Sequence, residues 1–505
     1  MSKCFKACGN SPWTLCPSEP PTYLVTIDEP AYILYEGVKY QSICVKRGTY
    51  PIVYPTTGPY DTFTRWNLTS TSATVANLNA ASTTITITNA GASLVAVVAS
   101  SPMVLRINVP APPSVLELPI QFGSNSPMTI KWGDGTPDMS YRPGSAIRHT
   151  YAGVGTYIVQ ISGQSALGFG SLEGYTGADL ITDVLQWGYI GVSSFSGAFY
   201  EASNLLSVPA TFVPGVTNTS GMFAYAYLFN SDISQWDVSR VTNMSGMFQN
   251  ASSFNRPLNS WNVSRVTNMA GMFSGAIAFN QPLNSWSTKL GNVTNMAGMF
   301  TDAIAFNQPL DSWNVSNVEN MSAMFNGASA FNQPLESWRP NKVKDMRGMF
   351  FKAAVFNQPL NSWNVSNVIN MASMFHSAFA FNQPLNSWNV SKITNMSSMF
   401  KFATAFNQPL NSWNVSNVTN MSSMFNSAYA FNRPLNSWST KLGKVTNMSS
   451  MFNSAYVFNQ SLDSWIAPRV TDAYTMFCEC PVYGKLEWYP KFSGTPIGYP
   501  LYGCN

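Results

Sequence analysis

The chain has 505 residues, 45% hydrophobic and 14% aromatic, with only 10% charged and a formal net charge of +4. That is enough for several domains and a large core, and too aromatic and too weakly charged for a disordered protein. The charge is thinly spread with no basic block, which argues against nucleic acid as a partner, and no run of about 18 apolar residues is present to insert in a membrane.

Residues 1–19 form a terminal arm. Its MSKCFKACGNSPWTLC lacks the apolar stretch of a secretory signal. A chain of surface-like composition without an export signal is expected in a virus or phage particle released by lysis. The alternatives are a cell-surface or extracellular location through a dedicated secretion system, or a chain that never leaves the cell. Seven cysteines sit near the ends: Cys4, Cys8, Cys16, Cys44, Cys478, Cys480 and Cys504. The odd number leaves at least one thiol free or bonded to another chain. The spacing of Cys4, Cys8 and Cys16 fits no zinc pattern and no His lies nearby, so local disulfides or free thiols are expected, with no metal and no cofactor.

Residues 20–109 read as a β-rich anchoring domain, because STTITITNAGASLVAVVAS alternates and then runs apolar as sandwich strands do. Association between chains, if any, is expected through these N-terminal domains. Residues 110–165 carry MTIKWGDGTP and RHTYAGVGTYIVQISG, a strand running into a tight turn and then an alternating strand. The pair resembles a PKD-type β-sandwich. Asp134, Asp138 and His149 invite a functional reading, with Asp134 a candidate for calcium and His149 for a base, but for both of these bonding to loop backbone and bracing of the turn is the stronger reading.

Residues 166–477 are dominated by repeats. A Phe-Asn pair recurs at Phe229, Phe254, Phe279, Phe306, Phe331, Phe356, Phe381, Phe406, Phe431 and Phe458. The step is 25 residues except for two of 27, and both long steps carry STKLG after Trp286 or Trp438. A fixed step of this size means a solenoid in which each coil covers the next. Within one coil the core columns are Phe406, Leu410, Trp413, Val415, Val418, Met421, Met424, Phe425 and Ala428. Leu410–Val415 is the expected strand. The column containing Asn420 holds only Asn or Asp, which suits the N-cap of a one-turn helix over Met421–Asn426. The column containing Asn407 is Asn in all ten copies, which suits an amide ladder or a bonded left-handed turn.

The motif FNQPLNSWNVSNVTNMSSMF resembles the repeats of the BspA-like surface proteins, an atypical leucine-rich-repeat family. The resemblance covers about residues 180–480. It implies a leucine-rich-repeat-like, right-handed solenoid, roles in attachment or surface interaction, and no catalytic residues. The fold class expected is therefore mainly β with short helices: N-terminal β-sandwich modules, then a solenoid of about eleven coils. Residues 478–505 are expected to cap it, with Cys504 a candidate partner for Cys478 or Cys480 in an oxidising compartment.

Chemical motifs are sparse. There are two histidines, His149 and His376, and no nucleophile elbow, phosphate loop or metal-binding His pair. GFGSLEG has the wrong glycine spacing for a dinucleotide loop. Variation between coils is more informative. The residues after each Met-Phe pair differ, and Phe351, Lys352, His376, Phe379, Lys401, Phe402 and Tyr429 form a candidate binding stripe. The expected function is non-enzymatic: presentation of this stripe to a host receptor, a glycan, or other particle or surface proteins. A structural capsid, tail or baseplate role and a bacterial adhesin are the alternatives, and an enzyme is the least favoured.

Overall fold

The computed structural model describes residues 23–27, 32–35, 38–40, 42–45, 48–53, 63–69, 73–76, 82–87, 92–98 and 102–493. Cys4, Cys8, Cys16 and Cys504 lie outside them. The protein is mainly β. Among the described residues, helix is confined to four three-residue 3-10 turns. The chain divides into two compact units, the first made of Met1–Met103 with the short segments Ile161–Gln164 and Trp187–Ile190, the second of the remainder.

The first unit contains two sheets. One has four strands in the order Ser42–Val45, Tyr23–Ile27, Ala92–Val98, Phe63–Thr69. The other has five, in the order Val38–Tyr40, Tyr32–Tyr35, Gly48–Val53, Ser82–Ile87, Ala73–Val75. The Thr/Ile alternation of Ser82–Ile87 places Ile85 in the interior, and Ile52 on the paired strand is buried too.

The second unit begins with a five-stranded sheet ordered Met139–Tyr141, Met128–Lys131, Gly155–Ser162, Met103–Val109, Ile181–Gln186. Two strands of this sheet, Met103–Val109 and Ile181–Gln186, lie outside the 110–165 span read from sequence. Their pairing is long-range and leaves no local signal. Two smaller ladders complete the module, and one of them pairs Ile120–Phe122 with Ala166–Phe169. Ala166–Phe169 leads directly into the repeats: Gly168 bridges Ser194 in parallel, and the Phe169 N–H donates to Ser194 O at 3.0 Å. GFGSLEG therefore serves as a joint. Gly170 has φ +134°, and a Cβ there would lie 2.2 Å from Ser196 O, so only glycine lets the backbones approach so closely.

From Ser194 to Asp472 the repeats stack in sequence order. Parallel bridges run Ser194, Asn218, Asn243, Asn268, Asn295, Asn320, Asp345, Asn370, Asn395, Asn420, Asn447, Asp472. The first level is the degenerate coil in which Ala198-Phe199 replaces Met-Phe. At each level the same columns are buried. Leu385, Met396, Met399, Phe400, Phe406 and Ala403 have no exposure, and Trp388 has 2%. The two Phe columns stack at 5.7 Å (Phe400–Phe425) and 6.0 Å (Phe406–Phe431), and interlock at 4.0 Å (Phe400–Phe406).

The hydrogen bonds lie elsewhere than the sequence suggested. Leu410–Val415 is a turn rather than a strand, closed by the Trp413 N–H on Leu410 O at 3.1 Å. Met421–Asn426 is not a helix. Its N–H groups alternate in direction. Met421, Ser423, Phe425 and Ser427 donate to Asn447, Ser449, Met451 and Asn453 of the next coil, at 2.7–2.9 Å. Met424, Asn426 and Ala428 close successive turns onto Met421, Ser423 and Phe425, at 3.0–3.2 Å. Ser423 and Ser427 take φ of +54° and +55°, the third-position backbone of type II turns. A helix would send every N–H back along its own coil and leave the neighbour's carbonyls unbonded.

The polar columns support this ladder. Asn420 Oδ1 accepts the Ser422 N–H at 2.9 Å, and Asp345 does the same for Arg347 at 2.9 Å. Both carry out the capping bond expected of them, in an Asx turn rather than at a helix start. The Asn407 column is a ladder of carbonyl oxygens. Asn382 Oδ1 accepts the Asn407 N–H at 2.9 Å and the Gln408 amide at 3.0 Å. Each Trp indole donates to the coil before it, as Trp388 does to Leu360 O at 2.9 Å. At the far end Tyr489 stacks on Phe477 at 4.7 Å, and the Leu462 N–H donates to Trp488 O at 2.9 Å. Residues after the last coil thus cover its open edge. Cys478 is disulfide-bonded, while Cys480 is a buried free thiol whose pKa burial pushes up to about 11.

Two outcomes test this packing. Trp388→Ala is expected to lose about 3–5 kcal/mol in chemical denaturation, and an unchanged midpoint would place the Trp column in solvent. Asn420→Asp is expected to be nearly neutral and Asn420→Leu to cost about 1 kcal/mol. A large loss with Asp in thermal melts would mean that the amide nitrogen, not the oxygen, carries this position.

Candidate functional site

The stripe residues are placed by the ladder itself. The first residue after each Met-Phe pair offers its carbonyl to the coil before it, and the second donates its N–H to the coil after it. Gly327 N–H donates to Phe351 O at 2.7 Å, Lys352 N–H to His376 O at 2.8 Å, Ser377 N–H to Lys401 O at 2.8 Å, and Phe402 N–H to Asn426 O at 2.8 Å. With the backbone so occupied, the side chains point away from the core and meet across coils.

Phe351, His376 and Phe402 form a continuous cluster over three coils. Phe351 meets His376 edge-on at 4.6 Å, and His376 stacks on Phe402 at 6.0 Å. Lys352 Nζ lies 5.3 Å from the Phe351 ring and Lys401 Nζ lies 5.6 Å from the Phe402 ring, both within cation–π range. Burial, followed by Lys401 and Lys352, lowers the His376 pKa to about 4. The ring is therefore neutral at physiological pH, and the cluster carries the charge of its two lysines alone.

The expected single patch is in fact two. Phe379 is 48% exposed and stands two positions beyond the cluster's second column. Tyr429 stacks instead on Tyr456, at 5.1 Å and 14°, and the Tyr456 hydroxyl donates to Glu479 at 3.3 Å. The division arises because Asn426-Ser427 supplies no ring to continue from Phe402.

Sequence reading missed Tyr456 and, at the other end of the stack, Tyr200, Tyr225 and Tyr227. Tyr200 and Tyr225 rings meet at 5.2 Å, and Tyr225 and Tyr227 at 6.4 Å. All four fall in the stripe's own columns, so extending the alignment to the first and last coils would have found them. Two stripe residues, Lys352 and Phe402, have φ of +55° and +56°. Glycine fills the same column at Gly275 and Gly327, with φ of +69° and +67°. A bulky side chain there costs about 1 kcal/mol relative to that choice.

The upstream acids and histidine have another role. His149 Nε2 lies 2.7 Å from Asp134 Oδ2, and Asp134 Oδ1 accepts the Thr136 N–H at 3.1 Å and its hydroxyl at 2.6 Å. Burial alone would raise the Asp134 pKa, but these bonds outweigh it and hold the carboxyl at about 2. His149 stacks on Trp132 at 4.9 Å and meets Tyr151 edge-on at 4.6 Å. Asp134 and His149 thus clamp the turn beginning at Gly133, where a Cβ would lie 2.5 Å from Ile158 O. Asp138 pairs with Lys131 at 3.2 Å, with both side chains exposed. Among the described residues, no group of three or more His, Cys, Asp or Glu could hold a metal ion, and no helix is long and apolar enough to cross a membrane.

The family described as Mycoplasma protein of unknown function, DUF285, matches residues 193–292, 289–387 and 378–486. These tandem matches span more than half the chain, and the protein belongs to this family. They coincide with the stacked coils and leave the upstream modules unmatched. Comparison with curated proteins and with solved structures found no match.

The His376 environment makes a direct prediction. The unfolded chain takes up this proton near pH 6.5 and the folded chain only near 4, so its contribution to stability is full above about 6.5 and falls as the pH drops toward 4. NMR titration should give a midpoint near 4 for His376, and removing Lys352 and Lys401 together should raise it only in part, because burial is the leading cause. A midpoint near 6.5 would place the ring in open solvent.

Proposed function

We propose that this protein is a non-enzymatic interaction protein whose coil stack is of the BspA-like repeat type, preceded by a PKD-type module. It holds an aromatic and cationic stripe toward a partner protein or glycan on a host or particle surface. The Phe351–His376–Phe402 cluster with its two lysines carries this reading. The three rings and Lys401 are half-buried and Lys352 is exposed, and ordered aromatic and cationic groups that are part-way desolvated suit the anchoring of a partner.

The composition and the disulfide at Cys478 support a virion or outer-surface location, where disulfides persist. A second reading is a structural particle component packed against other proteins. The exposed Tyr227, Ile277 and Ile304 of the same stripe, at 47%, 44% and 48%, favour it.

The test is the full-length chain on an array of glycans and extracellular proteins, beside Phe351→Ser/Phe402→Ser/Tyr429→Ser. The variant should keep its circular-dichroism spectrum, since none of the three lies in a core column, and lose the wild-type signals by on the order of tenfold or more. A folded variant with undiminished signals would reduce the coil stack to a spacer.

A further inference from the structure

A second surface lies on the segment entering the Asn–Met ladder. Two residues before each ladder Thr runs the column Arg240, Arg265, Asn292, Asn317, Lys342, Asn367, Lys392, Asn417, Lys444, Arg469. Six members are cationic, none is acidic, and all six cations are exposed. On one side the neighbouring column is Ser, Gly, Asn or Pro; on the other a buried Val or Ile column intervenes before one that is mostly Thr. The carboxylate in that Thr column, Glu319, is already paired with Lys344 at 2.6 Å and also feels Lys342. Asp237, three residues before Arg240, accepts the Ser239 N–H at 2.9 Å.

The three lysines are held identically. Lys342 Nζ donates to Asn317 Oδ1 at 2.7 Å, Lys392 to Asn367 at 2.7 Å, and Lys444 to Asn417 at 2.6 Å. Each Asn is fixed in turn, since its amide donates to the preceding coil: Asn317 to Gly291 O at 2.6 Å, Asn367 to Asn341 O at 2.8 Å, and Asn417 to Ser391 O at 2.7 Å. Each ammonium has three donors and spends one, leaving two for a ligand. Long side chains normally lose rotamer freedom on binding, and these are already restrained.

The lysines recur on every second coil. With about 4.8 Å per hydrogen-bonded level, they stand about 10 Å apart, the advance of a disaccharide in an extended polysaccharide.

We propose that this column binds a linear sulfated polysaccharide running along the stack, one anionic group per disaccharide meeting one lysine. Single-stranded nucleic acid fits less well. Its phosphates are spaced more closely, and the column offers no ring on which bases could stack. This site does not depend on the aromatic stripe.

The experiment passes the full-length chain over immobilised heparin. Wild type should be retained at low salt and released steeply as salt rises. Lys342→Asn/Lys392→Asn/Lys444→Asn, which carries what the alternate coils already have at this position, should stay folded by circular dichroism and lose on the order of tenfold or more in affinity. The corresponding triple Lys→Arg variant keeps the charge and should be retained like wild type. The triple Ser variant of the aromatic stripe should also be retained, so that failure of either site is read separately. Three results would overturn the proposal: undiminished retention of the Asn variant, loss of retention in the Arg or the stripe variant, or tighter binding of single-stranded DNA than of heparin.

Discussion

Everything in the repeat region follows from how one short segment distributes its N–H groups. In Met421–Ala428 every second N–H reaches the next coil and the intervening ones close turns within their own. Neither half suffices alone. The turns would not hold isolated in water, and a ladder without turns could not bend the chain round within 25 residues. Because a buried peptide group left unbonded is costly, each coil is stable only against a neighbour. Stability is therefore a property of adjacent pairs, as expected for quasi-one-dimensional folds.

Asparagine does most of the joining outside that segment, in two distinct ways. In the Asn420 column the side chain bonds its own coil, and any oxygen acceptor of that length suffices, so Asp345 and Asp472 are tolerated. In the Asn407 column the oxygen reaches the following coil and accepts from both backbone and Gln. A column of stacked carboxylates there would accumulate charge at about 5 Å intervals. The same chemistry, placed two residues before Thr, orders lysines instead of backbone.

Much of this was legible in the sequence. The period gave the stacking, the buried columns followed from the apolar positions, and the Asn-or-Asp rule correctly predicted a bond to a nearby N–H. The mistakes shared one cause. Pro409 can open a strand, which favours one over Leu410–Val415, and a cap at Asn420 favours a helix over Met421–Asn426. Both judgements used local propensity. The backbone alternates right- and left-handed residues at Ser423 and Ser427, and nothing about serine announces φ > 0. Likewise, the stripe residues were found from their variation between coils. Their division into Phe351–His376–Phe402 and Tyr429–Tyr456 depends on ring-to-ring distances that only folding sets. The cationic column was visible as letters, but the Asn–Lys relay that holds it was not.

The two 27-residue coils show what the design tolerates. Their extra residues lie in the STKLG turn that follows a 3-10 turn, Asn284–Trp286 or Asn436–Trp438, and Lys289 and Lys441 in that turn reach back to Trp261 O and Trp413 O. The ladder on either side runs on without a break. Insertions are thus confined to one corner of the coil, while every joint between levels presents the same donors and acceptors. A chain that gained or lost a whole coil in frame would meet, at the new seam, the surfaces it met at the old one. Length is therefore what this way of stacking leaves freest to change, and the reach of whatever it presents would change with it.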